Sequence, residues 1–335
     1  MGTLGVLGTM VWDRIVPYND RPVVEGWGGI AYALEAAEAA LPEGWRILPL
    51  IKVGHDLAAE ARALLSGLPR VEADIGVRVV ESPNNRVELR YRDAERREER
   101  LSGSVPGWSA GELAPLVRRT DALYINFISG RELDLETMHR LRGRYDGPLY
   151  ADLHSLLLDI GPDGRRTPRR LPHGPAWLRC FDAVQVNEDE LSRVAAPGSD
   201  PWAVGSIAVG EGLTGLFFAT LGARGAAYVA APEALEAPFA DSGRGRADEA
   251  AAGGGRRRGV DDGPVGPVHV PLEAPPASGD PTGCGDVWGA TCFARLLAGD
   301  AVDEAVRSAN AAAARNVEHI GAAGLHRFLA QPVEP

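Results

Sequence analysis

Short apolar segments alternate with helical segments along most of the chain. Residues 4–8 and 46–51 are typical of buried strands, and residues 30–41 and 56–65 carry the apolar spacing of helices. The alternation resumes at residue 122 and continues toward the end of the chain. Because a helical crossover between neighbouring strands makes them parallel, the pattern predicts a parallel sheet with helices on both faces. We therefore expect a three-layer α/β/α sandwich that forms a single domain over residues 1–335.

Three segments depart from this alternation. In residues 76–101, apolar and charged residues alternate with a period of two, which is typical of antiparallel strands with one polar face. Residues 11–24 have the pattern of a small exposed hairpin with a turn at Asn19 and Asp20. We expect these two segments to form a small β-sheet lid outside the main sheet. Residues 241–266 contain almost no apolar anchors, so we expect them to be a low-complexity insertion.

The composition argues against several functional classes. The formal net charge of −11 disfavours a general affinity for nucleic acid or for an anionic membrane surface. No apolar run approaches the roughly 20 residues needed to span a bilayer, and no basic leader precedes the first strand. The three cysteines show no metal-binding spacing. We therefore expect a reduced, cytoplasmic protein without nucleic-acid or membrane partners.

The lysine and glycine positions restrict how the chain could bind a nucleotide. Lys52 is the only lysine, and it does not follow a glycine-rich loop, so the Walker A pattern is absent. Gly2, Gly5 and Gly8 do not have the spacing of a dinucleotide-binding motif. Any chemistry on nucleotide phosphates must therefore use backbone groups, arginine and metal ions.

Residues 279–290 are a glycine-rich loop that leads directly into a helix. Gly283 and Gly285 allow the backbone to approach a ligand closely, and unpaired N–H groups at a helix start favour an anion such as phosphate. Asp286 lies at the mouth of this turn. A carboxylate suits that place if it accepts a proton from an attacking hydroxyl while a metal cation balances the remaining charge. From these residues alone, a plain glycine turn with Asp286 as a capping charge is an equally good interpretation.

The pattern Asp280-x-Thr282-Gly283-x-Gly285-Asp286 resembles the C-terminal signature of the ribokinase-like (PfkB) family of sugar and nucleoside kinases. The resemblance implies a ribokinase-like, Rossmann-like sandwich and the use of ATP and Mg²⁺. It also implies that Asp286 is the general base. The backbone of Gly283, Cys284 and Gly285 is then expected to hold the transferring phosphoryl group.

The same resemblance assigns roles to residues elsewhere in the chain. They are expected to bind the substrate (Asp13, Gly28, Gly29), the nucleotide (Thr220, Gly222, Gly225, Thr282, Asn310) and, through water, magnesium (Asn187, Glu190). Asn187 and Glu190 also have the spacing of a helix capping box, so both roles stay open. A monovalent cation near Asp280 and a homodimer through the lid are further expectations. His154 and His269 are expected to be structural.

The resemblance predicts an ATP-dependent carbohydrate kinase that transfers the γ-phosphoryl group to a primary alcohol of a sugar or sugar derivative. Two alternatives stay open. One is a nucleoside kinase of the same fold, which a base pocket formed by Trp12, Trp27 and Tyr32 would favour. The other is a non-catalytic sugar- or nucleotide-sensing protein, against which the intact Asp286 argues.

Overall fold

The computed structural model describes residues 1–18, 22–92, 97–236, 238–239, 263–274 and 279–331. Its strands are β1 (Gly2–Val16), β2 (Val24–Gly29), β3 (Trp45–Gly54), β4 (Val77–Val80), β5 (Arg86–Tyr91), β6 (Arg97–Ser102), β7 (Ala122–Asn126), β8 (Leu149–Asp152), β9 (Leu158–Ile160), β10 (Arg166–Pro168), β11 (Ala183–Asn187), β12 (Leu216–Thr220), β13 (Ala226–Ala230) and β14 (Val265–Val270).

The helices follow the strands in chain order. They are α1 (Ile30–Ala40), α2 (Ala58–Leu65), α3 (Ala73–Gly76), α4 (Ala110–Val117), α5 (Leu135–Arg142), α6 (Gly174–Leu178), α7 (Glu188–Val194), α8 (Val204–Gly210), α9 (Pro232–Glu236), α10 (Cys284–Leu297), α11 (Val302–Asn316) and α12 (Leu325–Ala330). A short 3₁₀ segment, His154–Leu157, follows β8. None of the helices described is long and apolar enough to cross a bilayer.

The main sheet has the strand order β14-β13-β12-β11-β8-β7-β1-β3-β4. Its strands from β12 to β4 pair in parallel, and β13 and β14 are antiparallel. Phe217 of β12 lies against Gly205 of α8, whereas Phe218 packs edge-to-face on Trp288 of α10. Because successive residues of a strand point to opposite faces, these contacts place helices on both sides of the sheet. The predicted three-layer α/β/α fold is confirmed.

A second, smaller sheet is continuous with the main sheet through β1. Residues 2–9 of β1 pair with β3, while residues 10–15 pair with β2 and residues 12–16 with β5. Strands β5 and β6 complete this sheet as an antiparallel pair. The sequence predicted a short strand at residues 4–8 and a separate hairpin beyond it. The structure instead has one strand of 15 residues, which changes its pairing partners along its length without a break.

Two elements differ from the sequence prediction. Val77–Val80 was expected outside the main sheet, but it pairs in parallel with β3 at the sheet edge. Strands β9 and β10 form a hairpin that the sequence did not indicate. The backbone of Arg165, just before β10, forms an isolated antiparallel β-bridge with Arg100 of β6. The predicted turn at Asn19 and Asp20 lies outside the described residues. So does the predicted insertion at residues 241–266, except for residues 263–266, where β14 begins.

Candidate active site

The glycine-rich turn at residues 279–283 ends where α10 begins. Gly283 has a φ of 79°, and a Cβ added there would lie 2.4 Å from the ring of Tyr32, so both the backbone conformation and the available space require glycine. The side chain of Asp280 accepts hydrogen bonds from the backbone N–H of Thr282, at 2.9 Å, and from its hydroxyl, at 2.6 Å. These contacts fix the turn that presents the start of α10.

The backbone N–H groups of this turn differ in how they are engaged. The N–H of Cys284 donates to the carbonyl of Pro281 at 3.2 Å. Within the described part of the chain, the N–H groups of Gly283 and Gly285 have no backbone partner. Of the three predicted anion-binding donors, these two are therefore directly available to a ligand.

Asp286 lies half-buried in the first turn of α10. Its Oδ1 accepts a hydrogen bond of 2.6 Å from Nδ2 of Asn126, at the end of β7. Burial raises the pKa of this carboxyl group to about 6, while the hydrogen bond from Asn126 and the charge of His154 act in the opposite direction. Among the described residues, no cation forms an ion pair with Asp286. The carboxylate is therefore poised to accept a proton near neutral pH.

Two cavities meet at this turn. The first, about 220 Å³ in volume, contains Asp286 and is bounded by the turn, the carboxyl ends of the main-sheet strands and the second sheet. The second, about 450 Å³, lies between the turn, α11 and the loop after β12. Four residues line both cavities: Thr220, Pro281, Cys284 and Gly285. Groups bound in the two cavities would therefore meet beside Asp286.

Two of the three predicted substrate residues lie on the first cavity. Asp13 and Gly29 line it directly. Gly28 lies beneath Asp13, because a Cβ at residue 28 would fall 1.7 Å from Oδ2 of Asp13. Gly28 thus leaves space for the carboxylate rather than contacting the cavity itself.

The predicted nucleotide residues separate between the two cavities. Gly222, Gly225 and Asn310 line the second cavity, Thr220 lines both, and Thr282 lines the first. The side chain of Asn310 accepts from the indole of Trp288 and donates to the carbonyl of Val270. Both polar atoms of its amide therefore already bond to the protein.

Asn187 and Glu190 form the capping box that their spacing indicated. Oδ1 of Asn187 accepts from the N–H of Glu190 at 3.0 Å, and Oε2 of Glu190 accepts from the N–H of Asn187 at 2.8 Å. Both residues also line the first cavity. The structural role and a position beside a ligand therefore coexist.

His154 lies on the wall of the first cavity, although the sequence predicted a structural role for it. Its Nδ1 is 2.6 Å from Oε1 of Glu190. Burial alone would lower the pKa of His154, but the carboxylate of Glu190 raises it to about 9. Asp152, whose Oδ1 accepts from the backbone of His154, has its pKa raised to about 7 by burial and by Glu190. By contrast, His269 bonds to the carbonyl of Arg224 and lies outside both cavities.

Other residues of the site were also missed from the sequence: Asn126, which donates to Asp286, and three residues that line the first cavity, Gln185, Glu99 and Arg166. Gln185 donates to the carbonyl of Gly285 at 3.0 Å and so supports the turn. Asp152 ends a strand predicted over residues 148–152, and His154 follows it. The carboxyl ends of parallel strands are where such sheets bind ligands, so a signal for both residues existed. Arg166 lies in a segment without a predicted element, and nothing in the sequence indicated it.

Comparisons with known proteins establish the fold. No family model and no curated protein sequence matches the chain. Among solved structures, a sulfate complex of a pyrophosphate-dependent kinase in the ribokinase family has a TM-score of 0.71 at 17% identity, covering 97% of this chain and 99% of that one. The Burkholderia thailandensis nucleoside kinase with inosine has a TM-score of 0.64 at 16% identity, with 97% and 96% covered.

A third structure, Arabidopsis thaliana ribokinase complexed with ribose and ATP, has a TM-score of 0.62 at 17% identity and 99% coverage of both chains. Identities this low support a statement about architecture alone. The expected ribokinase-like architecture is nevertheless confirmed, since the similarity spans nearly the whole chain. The protein therefore has the fold of the ribokinase-family kinases.

Proposed function

We propose that the chain is a phosphotransferase that moves the γ-phosphoryl group of ATP to a hydroxyl group of a sugar-like small molecule. The observation that carries this proposal is the position of Asp286. It lies half-buried and without an ion pair among the described residues, beside a glycine turn that two cavities share. One cavity suits the acceptor, the other suits the donor, and the shared turn lies where the transferred group would pass.

The proposed roles follow from these positions. The acceptor hydroxyl gives its proton to Asp286 as its oxygen forms a bond to the γ-phosphorus. The bond between that phosphorus and the β–γ bridging oxygen breaks, and ADP leaves. The N–H groups of Gly283 and Gly285 stabilise the charge on the transferring oxygens. The second sheet covers the acceptor and keeps water from competing with it.

A nucleotide fits the second cavity. Its walls include Leu272, Ala313, Val317 and Trp288, whose apolar side chains suit a purine ring. Gly222 and Gly225 also line this cavity, and glycine lets the backbone approach a phosphate closely. A donor of pyrophosphate alone would leave most of this 450 Å³ cavity unfilled. These features favour ATP as the donor.

Magnesium fits the charge distribution of the first cavity. Asp152, Glu190 and Asp286 line it together, and their crowding with burial raises the pKa of Asp152 to about 7. A divalent cation relieves such repulsion. No three His, Cys, Asp or Glu side chains among the described residues are grouped to bind a metal directly, so Asn187 and Glu190 would hold it through water. Bound there, the ion would offset the negative charge of the triphosphate.

The acceptor cavity favours a sugar over a nucleoside. Trp12 and Trp27 pack edge-to-face on each other, with ring centroids 5.2 Å apart, and neither is among the described residues that line the cavity. Tyr32 lines it but packs against Gly283. A base pocket built from these three rings is therefore not supported, which leaves a compact polyhydroxylated acceptor as the better fit.

A coupled assay of ADP release tests the proposal. The purified protein is supplied with MgATP and a panel of pentoses, hexoses, cyclitols, sugar acids and nucleosides, and a parallel series replaces ATP with pyrophosphate. We expect ADP release that depends on one class of polyhydroxylated acceptor, with a phosphorylated product detectable by mass spectrometry. Acceptor-independent ATP hydrolysis alone, or no turnover with any acceptor, would contradict the proposal.

A further inference from the structure

One ion pair reaches the acceptor cavity from two elements that the predicted sites do not include. Glu99 lies on β6 of the second sheet, and Arg166 begins β10 of the hairpin after β8. Nη1 of Arg166 is 3.6 Å from Oε2 of Glu99, and both residues line the first cavity. A neighbouring pair, Glu98 and Arg165, is 3.7 Å apart and more exposed. Because strand residues alternate between faces, one pair faces the cavity and the other faces solvent.

Arg166 is held firmly but incompletely satisfied. Its side chain is only 4% exposed, and its Nη2 donates a hydrogen bond of 2.5 Å to the carbonyl of Ile128. Its Nε is buried and has no hydrogen-bond partner among the described residues. Among the described residues that line the first cavity, Arg166 is the only arginine or lysine, so it is the permanent positive charge of that wall. Arg166 also lines the first cavity, so a ligand oxygen bound there lies close to its side chain.

The charges around the acceptor are unequal. At the end of the cavity under the second sheet, the described lining residues include two carboxylates, Asp13 and Glu99, and one guanidinium, Arg166. Apolar side chains of Val11, Val87, Leu89 and Ile128 form the remaining wall there. Carboxylates accept protons from hydroxyl groups, whereas a guanidinium only donates. The arrangement matches a neutral polyol and repels an acceptor that carries a carboxylate or phosphate group.

We propose that Glu99 and Arg166 are specificity-determining residues that, with Asp13, select a neutral polyhydroxylated acceptor and exclude anionic ones such as sugar acids and sugar phosphates. This inference rests on the proposed kinase function and deepens it. A unit charge several ångströms from an extra anion, at an effective dielectric constant near 20, changes binding on the order of tenfold or more. The selectivity between neutral and anionic acceptors is therefore the quantity to measure.

The test compares Glu99→Gln and Arg166→Gln with the wild type. Acceptor kcat/KM is measured with saturating MgATP for D-ribose, D-fructose and myo-inositol and for D-glucuronate and D-gluconate. We expect the wild type to prefer neutral acceptors. Glu99→Gln should raise the ratio of anionic to neutral kcat/KM at least tenfold. Arg166→Gln should raise KM for the neutral acceptor at least tenfold and leave KM for ATP within about twofold.

Matched controls separate specificity from stability. Glu98→Gln and Arg165→Gln alter the solvent-facing pair of the same two elements, and both should keep wild-type selectivity. If Arg166→Gln does not fold, Glu99→Gln still decides, because it is isosteric and changes one charge. An unchanged acceptor ratio in Glu99→Gln, or a wild-type preference for glucuronate or gluconate, would overturn the inference.

Binding measurements keep this inference distinct from the kinase proposal. The same five compounds are titrated calorimetrically into the protein in the presence of a non-hydrolysable ATP analogue. Neutral acceptors that bind without turnover, with anionic ones excluded, would support the selectivity inference while the kinase proposal fails. Equal binding of both classes would refute the selectivity inference whatever the turnover.

Discussion

Replacing Asp286 by asparagine separates catalysis from folding at one atom. Asparagine keeps the size of the side chain, and its oxygen can still accept the 2.6 Å hydrogen bond from Nδ2 of Asn126. Oδ1 of Asn126 is buried without a partner among the described residues, so it can accept a bond from the new amide. What asparagine cannot do is take a proton from the acceptor hydroxyl. We expect kcat to fall by roughly 10²–10⁴, which is about 3–5 kcal/mol of transition-state free energy.

The same substitution should stabilise the fold at neutral pH. Burial raises the pKa of Asp286 from 3.8 to about 6, so its ionised form is disfavoured in the folded state. The stability linked to this carboxyl group is fully present below pH ~4 and is lost as the pH rises through about 6. At pH 7 the wild type has therefore lost up to about 3 kcal/mol, and solvent screening of this half-buried group reduces that to about 1–2 kcal/mol. Asp286→Asn does not ionise and avoids this loss.

Two assays and one control decide between the interpretations of Asp286. Steady-state kinetics should show the loss in kcat with KM for ATP nearly unchanged, and thermal unfolding at pH 7 should show Tm about 2–5 °C above the wild type. The Tm difference should shrink toward pH 4. Asp303→Asn alters a partly exposed aspartate in the first turn of α11 and should leave kcat unchanged. A kcat for Asp286→Asn within threefold of the wild type would refute the assignment of the base.

Three further predictions follow from the same structure. Because a base must be ionised, kcat/KM should fall as the pH drops through about 6, and Asn126→Ala, which removes a bond that lowers the pKa of Asp286, should move this limb to higher pH in a pH–rate profile. Ala313→Phe should fill the second cavity and raise KM for ATP at least tenfold in the coupled assay, with KM for the acceptor unchanged. Lys52→Met removes the contacts of a buried ammonium group with the carbonyl of Gly107 and with the more exposed Glu112. Urea unfolding should show a loss of about 1–3 kcal/mol in the free energy of unfolding.

The fold was predictable because its signals are local. Alternating strands and helices each carry their own apolar period, and the right-handed crossover fixes how they assemble. The glycine turn could also be predicted, since Gly283, Gly285 and Asp286 lie within a stretch of four residues. The continuity of β1 was not legible. β1 changes its pairing partner between Thr9 and Met10, and the sequence pattern on the two sides of this point is typical of two separate strands.

The cavity residues that the sequence missed come from distant segments. Glu99, His154 and Arg166 lie on three different elements, and each resembles a common surface or core residue when read in its own segment. Glu190 contacts His154 and also completes a capping box. The capping box explains Glu190 in the sequence, so nothing there indicates the contact with His154. Only the tertiary structure shows that Glu190 makes both contacts. Spacing arguments therefore found the turn and overlooked the residues opposite it.

The two cavities differ in the polarity of their lining residues, and this difference bears on which phosphoryl donor the protein uses. The first cavity is small and strongly charged, with carboxylates from both sheets, whereas the second cavity is larger and lined by apolar side chains of α10 and α11. A pyrophosphate donor has no purine and would leave the space beside Leu272, Ala313 and Val317 unfilled. Ala313→Phe therefore distinguishes the donors directly. Blocking the apolar end should impair ATP while leaving any pyrophosphate-dependent turnover intact, and equal impairment of both would show that the cavity does not hold a purine.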